Sequence, residues 1–145
     1  VNTMKTKNIK RFANSLARKY NTHDPFRIAS LNHIDIYYPD IGENMGYFSS
    51  VCRIKSICIN KNADPELKPF ICAHELGHYF LHPHAETHAL NKNSFLSTWK
   101  IEHQANLFAV EFLLPDDLMK EYSDMGIYDI AAMVGIPESL AKLKI

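Results

Sequence analysis

Hydrophobic residues recur at helical and then at strand spacings along the first half of this chain. Apolar residues at 9, 12, 13, 16, 17 and 20 predict an amphipathic helix over 9–20, with its basic side chains facing outward. Asp24 followed by Pro25 is typical of a helix start and predicts a short helix through residue 31. A β-rich stretch follows, predicting a strand over 33–38 and a hairpin of strands 46–50 and 53–60, with turns marked by Gly42 and Gly46.

The second half is predicted to be helical. Asp64 and Pro65 repeat the capped start, and the strongly apolar helix that follows should end at Pro83. A polar loop over 84–97 leads to a long helix over 98–114, then to a short one through 122, and finally to two small helices on either side of 135–137. The order of elements predicts an α+β fold. It would be a compact, mainly helical domain with a small antiparallel sheet of about three strands beside the helix that ends at Pro83.

Length and composition favour one soluble domain spanning residues 1–145. The chain has 145 residues, of which 46% are hydrophobic and 22% charged. This is enough to form a hydrophobic core that needs no disulfide or structural metal to support it. The formal net charge is zero, so no global field favours nucleic acid or a membrane, and no apolar run reaches membrane-spanning length. Three cysteines without a CxxC pair, and no apolar signal segment, predict a reduced protein of the cytoplasm.

Charge is nevertheless uneven along the chain. Six basic residues, at 5, 7, 10, 11, 18 and 19, precede the first acid, Asp24. A solvated basic helix face is the simpler interpretation, and a docking surface for an acidic partner is the alternative. The tail over 131–143 loosely matches a helix-turn-helix spacing, but few basic residues lie there. We therefore interpret it as an element that packs against the core rather than one that binds DNA.

The strongest chemical signal is the segment of residues 74–78, which reads HELGH and matches the HExxH motif. On a helix, residues four apart lie one turn above each other, so His74 and His78 can reach one metal ion. Glu75 lies about 100° round the helix from His74, close enough to contact a water at that metal. The motif therefore predicts two ligands and a general base within one turn.

Two residues compete as the third ligand of a hydrolytic zinc site, which needs three protein ligands and an open position. His84 stands where the metzincin pattern places its third histidine, with Met125 as a faint Met-turn, but Leu81 replaces the glycine that turns the chain. Glu102, on the next long helix, would complete a His, His, Glu ligand set. Considered alone, without the motif, Glu102 is better interpreted as an acidic residue on the protein surface. Asn106 would share its face and could support the ligands.

Three segments together resemble the ImmA/IrrE family of metallopeptidases, which pairs HELGH with a helix of the form E-x-x-A-N-x-F-A ending in LLxP. They are residues 74–82, 101–109 and 112–115. The resemblance implies a zincin-like domain of the gluzincin type that binds one Zn²⁺ per chain. It implies His74, His78 and Glu102 as ligands and Glu75 as the catalytic acid/base. This chain has Gln104 where many members carry an acid, and it is too short for the helix-turn-helix domain that some members add.

The resemblance also implies a function. We expect a zinc-dependent endopeptidase that cleaves a cytoplasmic regulator, typically a helix-turn-helix repressor of a mobile element, prophage or stress response. The alternative is a non-catalytic anti-repressor whose zinc is structural, in a closed site with a fourth ligand from His82, His84, His88 or His103.

Further residues are candidates for supporting roles. Asn106 and His103 are predicted to support the ligands from the second helix. Residues that could stabilise an oxyanion are His88, His103, Tyr79 and Tyr122. A substrate strand is expected to add to the exposed edge of the small sheet.

Overall fold

The computed structural model describes residues 6–83 and 95–144, and within them the predicted α+β class is confirmed. Two helices precede a three-stranded sheet, and helices make up the rest. In chain order the elements are α1 Thr6–Tyr20, α2 Pro25–Leu31, β1 Ile34–Tyr37, β2 Gly46–Val51, β3 Ile54–Ile59, a 3-10 turn Pro65–Leu67, α3 Lys68–Leu81, α4 Phe95–Leu113, α5 Asp116–Glu121, α6 Ile127–Met133, α7 Glu138–Ala141 and a 3-10 turn Lys142–Lys144.

The helix boundaries follow local signals in the sequence. The Asp24 carboxylate accepts a 2.9 Å hydrogen bond from the backbone N–H of Phe26, and Pro25 occupies the first helical position of α2. Pro69 lies in the first turn of α3, where a missing N–H costs no helical hydrogen bond. That helix ends at Leu81, with His82 as its C-cap, just before Pro83. The capped start at Asp24 is confirmed. Asp64 makes no side-chain cap hydrogen bond, and Pro65 begins a 3-10 turn that leads into α3.

The sheet is mixed, so the prediction of an antiparallel sheet was wrong for one of its two pairings. β2 and β3 form an antiparallel hairpin whose turn residues, Cys52 and Arg53, have φ of 52° and 67°. β1 instead runs parallel to β3, and the strand order is β1-β3-β2. Residues 38–45 carry the chain from β1 to the far edge, so that β3 returns between the other two strands. Residue patterns fix a hairpin but not the direction of a third strand.

The core lies where α3 packs between the sheet and α4. The two helices approach closely at Gly77, because a Cβ built there would lie 3.1 Å from the Cα of Ala105. α1 packs against α4 and buries Ile9, Ala13 and Leu16, while Lys7, Arg11, Arg18 and Lys19 stay exposed. This arrangement fixes α3, which carries the HELGH segment, against α4, which carries Glu102.

Two further boundaries differ from the prediction. α4 begins at Phe95 rather than at 98, so the predicted loop over 84–97 ends earlier; residues 84–94 lie outside the described part. The prediction placed Ser97 in the loop, yet serine is only weakly unfavourable in a helix. Cys52, Cys58 and Cys72 are free cysteines. Among the described helices, none has the length and apolar character needed to cross a membrane.

Candidate metal centre

Three side chains from two helices converge on one point. α3 supplies His74 and His78, one turn apart, and α4 supplies Glu102 across the interface. The Nε2 atoms of the two histidines are 3.1 Å apart. The two carboxylate oxygens of Glu102 lie 2.9 Å from Nε2 of His74 and 3.0 Å from Nε2 of His78. One potential ligand atom from each residue therefore lies within 4.8 Å of the others.

These separations suit a small tetrahedral cation. In a tetrahedral zinc site with Zn–N and Zn–O bonds of about 2.0–2.1 Å, ligand atoms are about 3.3 Å from one another. The observed separations of 2.9 to 3.1 Å are close to this spacing. A donor set of two imidazole nitrogens and a carboxylate also favours zinc over harder cations such as Mg²⁺ and Ca²⁺. The residues fit a zinc ion by both spacing and chemistry.

Asn106 contacts the ring nitrogen of His74 that faces away from the cluster. Its Oδ1 lies 2.8 Å from Nδ1 of His74. An amide oxygen can only accept, so Nδ1 of His74 carries a proton, and Nε2 is the ring nitrogen that faces the site. Asn106 lies one turn after Glu102 on α4, so one face of this helix supplies both the carboxylate and this amide.

On the side away from the cluster, His78 contacts a different residue, His82. Nδ1 of His78 lies 3.3 Å from Nδ1 of His82, and Nε2 of His82 lies 2.6 Å from Oε1 of Gln104. All three residues are buried. Burial lowers the pKa of His82, which favours its neutral form. His82 therefore lies behind His78, on the side away from Glu102.

Glu75 is a buried carboxyl group beside the cluster. It is only 5% exposed, and no described residue makes a hydrogen bond to its Oε2. Burial raises the pKa of Glu75 to about 7, with the charge of His74 and a backbone hydrogen bond from Phe48 opposing the shift. A carboxyl group with a pKa near neutrality can both accept and return a proton, as a general base requires.

The cluster itself holds opposing charges. Burial raises the pKa of Glu102, but hydrogen bonds with His74 and His78 outweigh it and hold that pKa well below its usual range. Burial lowers the pKa of His74, but Glu102 and Glu75 more than compensate and raise it. Burial dominates at His78 and lowers its pKa. A cation at the centre would replace the proton that His74 otherwise shares with Glu102.

A cleft of about 430 Å³ opens onto this cluster. His74, Glu75 and Glu102 form its polar floor. Its walls come from four parts of the chain: the loop before β2, the start of β2, the entry to α3 and the tail. The wall residues include Met45, Tyr47, Leu67, Phe70, Ile71 and Pro137. The volume falls in the range of small-molecule and side-chain pockets.

Other residues singled out in the sequence lie away from this cleft. The His103 ring stacks on Trp99, with centroids 5.1 Å apart. The Tyr79 hydroxyl accepts a 3.0 Å hydrogen bond from Nζ of Lys55. Tyr122 and Met125 pack against the core and do not line the cleft. His84 and His88 lie outside the described residues.

The sequence analysis missed several residues of the site. It considered His82 only as a fourth ligand and Gln104 only as a departure from a family pattern, and it did not single out Tyr47 or Pro137. Helical spacing places His82 one turn after His78, and this signal was available. The contact between His82 and Gln104 crosses two helices, and no local pattern predicts it.

Comparison with known families identifies the chain. The family described as the IrrE N-terminal-like domain, Peptidase_M78, matches residues 31–145. This chain belongs to that family. Immunity region protein 2 of Bacillus phage phi105, itself uncharacterized, is 40% identical over 139 residues, or 94% of this chain and 88% of that protein. Metallopeptidase ImmA of Bacillus subtilis (strain 168) is 30% identical over 144 residues, or 97% and 85% of the two chains.

Membership in this metallopeptidase family implies a divalent metal, and the His74, His78 and Glu102 cluster is a candidate place for it. The matched region begins within α2 and includes the whole sheet, α3 and α4. The resemblance noted from the sequence is therefore confirmed at the level of the family.

Proposed function

We propose that residues 1–145 form one zinc-dependent endopeptidase domain, with His74, His78 and Glu102 as the zinc ligands. One observation carries the proposal: three donor atoms lie within 4.8 Å of one another, beside a buried glutamate and at the floor of a cleft. Three protein ligands and access from the cleft are typical of a catalytic zinc site.

In this proposal Glu75 is the catalytic acid/base. Zn²⁺, when bound, would supply Lewis acidity toward a peptide carbonyl and toward the attacking water. Glu75 would take a proton from the water and return it to the leaving amine, and its buried position at the cleft floor beside the ligands supports this role. Asn106 holds His74 in the tautomer that leaves Nε2 facing the site.

The substrate would bind as an extended segment. β2 is an edge of the sheet, pairing with β3 alone in the described part of the chain, and its first residues Gly46 and Tyr47 line the cleft. An edge strand offers backbone groups to a second strand, which would run past the metal site. Phe70 and Ile71 provide an apolar wall for a substrate side chain.

We further propose that the substrate is a cytoplasmic regulatory protein, a helix-turn-helix repressor of a mobile element, prophage or stress response. The support is the name of one relative as an immunity region protein and of another as the metallopeptidase ImmA. Cleavage of the repressor would relieve repression. The competing idea, a non-catalytic anti-repressor, requires a fourth protein ligand. Among the described candidates, His82 is engaged with Gln104 and His103 with Trp99.

Glu75→Gln tests the catalytic proposal. The variant keeps the size of the side chain but removes the base, so we expect the zinc content of wild type and no cleavage of the repressor encoded beside this chain. A chelator should also abolish cleavage by wild type, and Glu102→Ala should lower metal content. Glu121→Gln, at an exposed position on α5, serves as the matched control with wild-type cleavage. Relief of repression by Glu75→Gln would instead favour the anti-repressor.

A further inference from the structure

We propose that Asn60 is a positioning residue of the cleft, which holds residues 42–45, the cleft loop, as a wall against which the substrate peptide binds. This inference rests on the proposed function, because it treats the cleft as the site of peptide binding. Asn60 directly follows β3, is only 3% exposed and does not line the cleft. Its effect on a substrate therefore passes through the residues that it contacts.

The polar groups of the Asn60 side chain all have partners. Nδ2 donates to the backbone carbonyls of Gly42 and Asn44, at 2.8 and 2.7 Å. Oδ1 accepts a 2.9 Å hydrogen bond from the backbone N–H of Asn62, and the backbone N–H of Asn60 donates to the carbonyl of Met45 at 2.8 Å. Because a carbonyl oxygen can only accept, the orientation of the amide is fixed, with both of its N–H groups directed at the cleft loop.

Asn60 attaches the cleft loop to the end of β3. Among the described residues, the other hydrogen bonds made by this stretch are local. They join the backbone N–H groups of Gly42, Asn44 and Gly46 to acceptors no more than three residues away. Local bonds of this kind shape a turn but do not fasten it to the sheet. Since Asn60 is buried, water competes little for the hydrogen bonds that do.

The attached loop forms one side of the cleft above the metal cluster. Residues 43–45 line the cleft, and so does Gly46, where β2 begins. A Cβ at Gly46 would lie 2.6 Å from Cγ2 of Ile71 and 2.8 Å from the carbonyl oxygen of Cys58, so the start of β2 fits tightly against α3 and β3. The wall is thus held at its β2 end by packing and along its length by Asn60. A peptide that binds there does not have to order the wall first.

Asn60→Asp tests this role with almost no change in shape. A carboxylate oxygen replaces Nδ2, so the variant loses both donors and repels the carbonyls of Gly42 and Asn44, while it keeps an acceptor for Asn62. Asn62→Asp is the matched control, because it makes the same charge change at an exposed side chain two residues later. Asn60→Ser, which is neutral and too short to reach both carbonyls, replaces Asn60→Asp if that variant does not fold.

The first readout is hydrogen–deuterium exchange of the metal-free protein, which reports local opening of the backbone. We expect faster exchange over residues 42–46 in Asn60→Asp, with the rates of wild type in α3 and throughout Asn62→Asp. Unchanged exchange over residues 42–46 would overturn the proposal. So would faster exchange across the whole molecule, because it would show that Asn60 supports the fold in general rather than the cleft loop.

The second readout separates substrate binding from catalysis, using cleavage of the repressor encoded beside this chain. We expect Asn60→Asp to raise KM by about 10-fold, as for a loop that adopts its binding conformation about one tenth of the time. The kcat and the zinc content should stay near those of wild type, since Asn60 contacts none of the proposed ligands. An unchanged KM, or a parallel loss of kcat and zinc content, would overturn the proposal.

The two proposals fail in different ways. Absence of repressor cleavage by wild type would refute the proposed function. The role of Asn60 is then decided by the dissociation constant of the intact repressor, measured by titration calorimetry with Glu75→Gln and with the double variant that adds Asn60→Asp. A dissociation constant about 10-fold higher in the double variant supports the wall, and equal values would overturn it.

Discussion

Glu75 is a carboxyl group kept from water, with one oxygen that lacks a hydrogen-bond partner among the described residues. When no cation is bound, this burial lowers the stability of the folded state wherever Glu75 is ionised, because an ionised carboxylate in the interior is unfavourable. Its pKa is about 7 in the folded chain, against 4.5 for an ordinary glutamate. The folded state therefore retains a proton that the unfolded state loses between these two values. The contribution of Glu75 to stability is complete below pH 4.5 and is lost as pH rises to 7.

The metal-free protein should consequently be stabilised by Glu75→Gln at alkaline pH. We expect the variant to exceed wild type in free energy of unfolding at pH 8 by as much as about 3 kcal/mol. The difference should vanish well below pH 4.5, where Glu75 is protonated in both states. Urea denaturation with a chelator present measures it, and Glu121→Gln is the exposed control. Equal stability of Glu75→Gln and wild type at pH 8 would contradict this expectation.

At the residue scale, sequence reasoning extends as far as one helix. The spacing of His74 and His78 requires that they share a face, so their proximity follows from the chain alone. Glu102 comes from another helix. Leu81 in place of the turn glycine counted against His84, and the paired motifs favoured Glu102. Asn106 contacts His74 from 32 residues away along the chain, and Gln104 contacts His82 from 22 residues away. Such distant contacts depend on the packing of α3 against α4.

The interface between α3 and α4 decides whether these residues meet. A Cβ at Gly77 would lie 3.1 Å from the Cα of Ala105 and 3.2 Å from Cδ1 of Phe108. The Ala105 contact is with backbone and cannot be relieved by a rotamer change. Position 77 therefore sets the separation of the helices, and with it the reach of Glu102 toward the histidines.

Gly77→Ala should therefore lower both stability and metal affinity. We expect a loss of about 1–3 kcal/mol in free energy of unfolding, because the added methyl group overpacks the interface. Zinc affinity should also fall, since displacement of α4 moves Glu102. Gly126→Ala is the matched control: its Cβ would meet only Asp129, at 3.8 Å, so we expect a change within about 0.5 kcal/mol. Wild-type values for Gly77→Ala would show that the interface accommodates a methyl group.

At the element scale, the sequence predicted helices better than the sheet. Asp24 and Asp64, each followed by proline, begin helical segments as expected, although Pro65–Leu67 is a 3-10 turn before α3. The hairpin was predicted from its pattern, although Arg53 belongs to the turn rather than to a strand. The direction of β1 depends on how residues 38–45 cross the sheet, which is a tertiary property.

The tail is joined to the rest of the molecule by a largely buried ion pair. The Lys144 and Glu111 side chains are 4% and 7% exposed and lie 3.0 Å apart. Lys144 also contacts Asp116, and Asp116 pairs with Lys10 of α1. These pairs connect α1, α4, α5 and the tail. The same tail contributes Pro137 to the cleft, so global stability and the shape of the cleft are linked.

Lys144→Met should destabilise the whole molecule. It leaves Glu111 buried with no charge partner in the tail, for which we expect a loss of about 3 kcal/mol in free energy of unfolding. Adding Glu111→Leu should recover much of this loss, because an apolar pair of similar volume needs no compensating charge. Lys142→Met, at an exposed lysine of the same turn, is the control. Thermal or urea unfolding measures all three variants. A double variant as unstable as Lys144→Met would contradict this account.

The stacked pair of Trp99 and His103 gives the molecule a built-in optical reporter. The sequence contains one tryptophan, and its ring lies almost parallel to the His103 imidazole, at an interplanar angle of 4°. Trp99 is also one helical turn before Glu102 on α4. Indole emission is sensitive to a neighbouring imidazole and to small movements of its helix. Tryptophan fluorescence of the unlabelled protein therefore arises from one known position, next to the candidate metal centre, and can follow titrations there without any added dye.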